Sequence, residues 1–69
     1  MDNEQQSGRQ RRNIQIGSTV EIVQKTDQRT GKRTRGTVQR ILTKSATHPH
    51  GIKVQLASGE VGRVITVLE

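Results

Sequence analysis

No cysteine, phenylalanine, tyrosine or tryptophan occurs among the 69 residues, and proline occurs once. Without cysteine there is no disulfide framework, and a cysteine-ligated zinc site is excluded. Without phenylalanine, tyrosine or tryptophan the chain lacks the stacking platforms that RRM-type sheets and many OB folds offer to single-stranded bases. It equally lacks the aromatic groove that holds proline-rich peptides in SH3 and WW domains. Nothing approaches the ~20 consecutive apolar residues of a membrane span. The first residues, MDNEQQSGRQRRN, lack the apolar run of a signal peptide. A cytoplasmic protein with no membrane attachment is the default expectation.

Charge is what the chain has in excess. Twelve lysines and arginines face six acids, a net of +6 at neutral pH. A small, strongly basic domain points first to nucleic acid, with anionic membrane or an acidic protein surface as competitors. Five of the twelve cations fall within Lys25-Thr26-Asp27-Gln28-Arg29-Thr30-Gly31-Lys32-Arg33-Thr34-Arg35-Gly36, a stretch with one acid and no large apolar side chain. Aliphatic segments flank it on both sides, so it reads as a long cationic hairpin loop. Asp27 and Thr30-Gly31 supply its turn chemistry, because aspartate bonds nearby backbone and glycine accepts positive φ.

The remainder reads as short strands. Residues 1–13 carry no aliphatic side chain after the initial methionine and cannot offset their ordering entropy by burial. They are expected to form a disordered tail, with Arg9-Gln10-Arg11-Arg12 as an auxiliary basic arm, and a barrel domain is expected over 14–69. Strands are expected at 19–24, 34–42, 52–56 and 60–67, from β-branched content and alternation. Ile41 falls out of phase with Gly36 and Val38, which a bulge near Gln39-Arg40 would repair. Val61, Val64, Ile65 and Val67 do not share one face, so Gly62 is a candidate bend. No segment carries a sustained helical stripe. Four to five short antiparallel strands in so few residues imply an all-β, partly open small barrel, since a flat sheet would leave long edges. The expected core is Ile16, Val20, Ile22, Val38, Ile41, Ile52, Val54, Leu56, Val64 and Ile65.

Two resemblances follow from specific residues. Val20-x-Ile22, the Gly31-Lys32 loop and Gly36-x-Val38-x-x-Ile41 resemble a KOW motif. That resemblance implies an SH3-like barrel that binds RNA or partner proteins, although five positions separate Gly31 from Gly36, more than such loops usually carry. The strings Lys25-x-Asp27-Gln28-Arg29-Thr30-Gly31-Lys32 and His48-Pro49-His50-Gly51-Ile52-Lys53-Val54, with Gly59-x-Val61-Gly62-Arg63-Val64, are similar to the YwbE family of small prokaryotic proteins. This second resemblance spans nearly all of the chain after residue 13 and brings no mechanism with it.

The expected function is therefore non-enzymatic binding of structured RNA, with RNA favoured over DNA and the ribosome one candidate setting. Arg29, Lys32, Arg33 and Arg35 are the expected phosphate contacts, because guanidinium groups engage phosphate bidentately and lysine adds point charge. Lys53 and Arg63, on the polar positions of their strands, would extend the patch. Lacking aromatics, such contacts would read phosphate and ribose shape rather than bases. The alternative is a protein-interaction module docking on an acidic surface; equally, the loop charges could simply protect a hairpin tip from edge pairing. His48-Pro49-His50 supplies two imidazoles, too few for an ordinary zinc site; the turn could cap carbonyls or face a phosphate. No cofactor, metal or small-molecule substrate is expected, and no nucleophile–base set is recognisable.

Overall fold

The computed structural model describes residues 6–68 of the chain. Five strands form one antiparallel sheet: β1 (Gln6–Ser7), β2 (Thr19–Gln24), β3 (Thr34–Ile41), β4 (Lys53–Leu56) and β5 (Val61–Val67). The pairing order is β1-β5-β2-β3-β4, and β4 also pairs with β5, so the four longer strands close into a ring. The molecule is a small all-β, SH3-like barrel without an α-helix among the described residues. Two short 3-10 turns, Arg11–Asn13 and Lys25–Asp27, are the remaining regular pieces.

The interior is aliphatic. Ile14, Val20, Ile22, Val38, Ile52, Val54, Leu56, Val64 and Val67 are buried, with Ile41 packed against them. Each removes apolar surface from water, and no buried side-chain polar atom among the described residues lacks a hydrogen-bond partner. Two bulges let strands with broken alternation serve this core. On β3, Val38 faces Leu56 and Arg40 faces Gln55, which leaves Gln39 as the extra residue and turns both Val38 and Ile41 inward. On β5, Glu21 of β2 faces Thr66 while Ile22 faces Val64, so Ile65 is extra and both Val64 and Val67 point inward. The first bulge lies where the expected phase repair put it. The second lies at Ile65, and Gly62 is a point of close approach: a Cβ there would come within 2.6 Å of the Val23 carbonyl oxygen.

Three expectations change. Ile16 is 63% exposed, because the Gln15–Ser18 turn carries it outward, and Ile14 takes the interior position. Ile65 is displaced outward by its own bulge, and Val67 is buried instead. Residues from 6 onward that were expected in the tail are tied into the fold. Residues 1–5 lie outside the described residues, but Gln6 and Ser7 pair with Val67 and Thr66. The Gly8 carbonyl then accepts from Ile52 N, the Arg9 carbonyl from His48 N, and Arg11 N donates to Ala46 O. Backbone pairing, which needs no apolar side chains, holds this segment. β1 thus continues along the β5 edge beyond the end of its pairing with β4.

Candidate nucleic-acid interface

The β2–β3 connection, residues 25–33, is a wound knob. Gln28 N donates to Lys25 O at 3.4 Å, and Thr30 N and Gly31 N both reach the Asp27 carbonyl, at 3.2 and 2.8 Å. Gly31, at φ 75°, ends the winding in the left-handed region that glycine enters without a Cβ clash. Thr30 Oγ1 accepts from Lys32 N at 3.3 Å. It is thus the Asp27 carbonyl, rather than its carboxylate, that organises the turn. At the base, Gln24 Nε2 donates to Thr34 Oγ1 at 3.1 Å and fastens the two strands.

The six candidate cations divide into three groups. Glu21 on the outer face of β2 draws two of them: Arg33 lies 3.2 Å away and Arg35 3.9 Å away. Arg35 is also the cross-strand partner of Glu21, so register alone brings them together. Their charge is partly matched within the fold. Arg29 and Lys32 on the knob, and Lys53 on β4, are exposed and form no ion pair among the described residues. Arg63 is half-buried, and its guanidinium donates to the Gly51 carbonyl at 3.1 Å. Lys53 and Arg63 are direct partners across β4 and β5, and Val23 is the partner of Arg63 on β2. A row Val23–Arg63–Lys53 therefore crosses three strands on one face.

The closed, sheared sheet brings the histidine turn to this row. Val23, Gln28, Gly31, His50, Arg63 and Ile65 line a cleft of about 460 Å³ between the knob and the turn. A second hollow of about 430 Å³, bordered by Arg9 and Pro49, shares His50 and Ile65 with it. Gly51, at φ 102°, permits the sharp return after the turn. His50 N donates to His48 Nδ1 at 3.1 Å, which makes that nitrogen an acceptor and puts the neutral ring's proton on Nε2. The His48 imidazole thus accepts a backbone amide rather than capping a carbonyl. Partial desolvation first, then the nearby Arg63 and His50, hold the His48 pKa below its ordinary value. Among the described residues no three histidine, aspartate or glutamate side chains gather as metal ligands would, and no helix is long and apolar enough to cross a membrane. The sequence had separated the basic loop from the histidine turn, and it left Ile65 and Val23 out of the site. No local signal joins them; only the shear of the closed sheet does.

Comparison with known proteins adds kinship. No solved structure matches the chain. Uncharacterized protein YwbE of Bacillus subtilis (strain 168) is 60% identical over 57 residues, covering 83% of this chain and 88% of that protein. The family model described as uncharacterized conserved protein (DUF2196) matches residues 7–67, a span that includes the wound knob and the histidine turn. The chain belongs to this family, the one that includes YwbE.

Proposed function

We propose that this barrel is a non-enzymatic module of the cytoplasm that binds structured RNA through the wound knob and the Lys53–Arg63 row. The observation that carries the reading is charge placement. Twelve cations face six carboxylates, a net of +6, and five of the twelve fall within residues 25–36. Of those carboxylates, Glu21 is engaged by two arginines and Glu60 by the Ser58 hydroxyl. Such an unbalanced surface costs self-repulsion, which a polyanion relieves by exchanging its condensed counterions for protein cations.

RNA is favoured over DNA for two reasons. The described residues contain no α-helix to lay in a DNA major groove. With no phenylalanine, tyrosine or tryptophan ring available for stacking, contacts would fall mainly on phosphates and 2′-hydroxyls, which an A-form helix displays across its wide minor groove.

Fluorescence anisotropy with a short RNA duplex, read across a salt series, tests this. Each phosphate neutralised contributes about −0.7 to −0.9 to the log–log salt slope. The variant Arg29→Glu/Lys32→Glu should weaken binding and flatten that slope; unchanged affinity and slope would overturn the assignment. A single protein that co-purifies after nuclease treatment, together with no measurable duplex binding, would favour docking on an acidic protein surface instead.

A further inference from the structure

The N-terminal segment that the sequence reads as a loose basic arm is built into the barrel wall, and this changes what its arginines can do. Gln10 pairs with Thr47 as an isolated bridge, and Arg11 N donates to Ala46 O at 2.8 Å. Between this pairing and the β3–β4 loop lies a cleft of about 510 Å³, lined by Gln10, Arg11, Arg12, Lys44, Ala46 and Thr47. It shares no lining residue with the two hollows beside the histidine turn.

Its two guanidinium groups are braced from behind. Arg11 Nε donates to the Thr43 carbonyl at 3.2 Å, and Arg12 Nε donates to Gln10 Oε1 at 3.0 Å. Each bond uses the inner nitrogen and leaves the terminal nitrogens, the pair that grips phosphate oxygens in a fork, uncommitted among the described residues. Both arginines and Lys44 are exposed, and no carboxylate among the described residues lines the cleft. Three like charges held around one hollow repel one another unless an anion joins them. The volume lies within the ~300–1,000 Å³ of ordinary ligand sites, which accommodates a nucleotide-sized stretch of backbone.

We propose that this cleft is a second phosphate site, which grips the sugar–phosphate backbone of RNA independently of the knob. The proposal rests on the RNA reading above and gives the protein two separate grips on the ligand. Two measurements on the full chain test it. In the duplex-RNA salt series, Arg11→Gln/Arg12→Gln/Lys44→Gln should weaken binding and reduce the slope by about 2 to 3. Combining it with Arg29→Glu/Lys32→Glu should weaken binding further than either set alone. Lys44→Gln by itself breaks no side-chain bond among the described residues, so its smaller loss, under one unit of slope, guards against a folding artefact. A normal response to the knob variant with none to the cleft variants would overturn the second site and leave the RNA reading intact. The second measurement is an NMR titration with inorganic pyrophosphate. Saturable shifts of the Gln10–Arg12 and Thr43–Thr47 amides are expected even if duplex RNA fails to bind. Absence of those shifts would overturn the site in that case too.

Discussion

At the scale of single residues, the fold is set by what may and may not carry a Cβ. Gly36 and Gly62 both sit in strand interiors, where glycine weakens pairing unless something comes close. At Gly36 a Cβ would meet Leu56 Cδ1 at 2.6 Å, the end of a buried side chain rather than backbone. At Gly62 it would meet the Val23 carbonyl oxygen at 2.6 Å and its carbon at 2.9 Å, both backbone atoms fixed by the β2–β5 ladder. Overpacking costs ~1–3 kcal/mol, so Gly62→Ala should fall at or above the top of that range and Gly36→Ala within it, below Gly62→Ala. Chemical denaturation of both variants checks the ranking; equal losses would mean the ladder yields as readily as a side chain. The same scale shows where local reading fails. Ile14 and Ile16 alternate identically in sequence, and nothing in either side chain says that the Gln15–Ser18 turn will carry Ile16 out.

At the scale of elements, the four long strands were legible from β-branched content and alternation, and the Gln39 bulge was legible because Ile41 would otherwise face solvent. The Ile65 bulge was not, because Val64 and Ile65 are equally apolar and pairing alone decides which is buried. For the candidate site, the identity of the cations was readable, but their partners were not. Glu21 precedes Arg33 and Arg35 by a dozen residues or more, and antiparallel register sets it beside them. It therefore acts as a counterweight to the basic hairpin. Replacing it, Glu21→Gln, frees both arginines. Duplex-RNA affinity at low salt should rise, and the log–log slope should steepen by about 1 to 2. Exposed pairs of this kind contribute only ~0–1 kcal/mol, so the thermal melt should change little. Weaker RNA binding in this variant would mean that Glu21 positions the arginines rather than restraining them.

At the scale of the whole molecule, the barrel takes in residues before residue 13, which truncation tests. Removing residues 1–13 deletes the Gly8 carbonyl that receives Ile52 N, the Arg9 carbonyl that receives His48 N, and the β1 pairing along β5. Each hydrogen bond lost without replacement costs ~1 kcal/mol, which in a domain of this size corresponds to roughly 4–8 °C in Tm. A calorimetric melt of the truncated chain should therefore lie well below that of the full chain; coincident melts would restore the picture of a dispensable tail. Composition hid this because the segment is held by main-chain atoms, to which hydropathy is blind. The pairing of β5 with β1, β2 and β4 has one more consequence, in time rather than in energy. Ribosomes deliver chains from the N-terminus, so β5 emerges after all three of its partners. Until it does, only the β2–β3 and β3–β4 pairings are available, and the nascent chain presents its positive charge before it has a barrel to display it on.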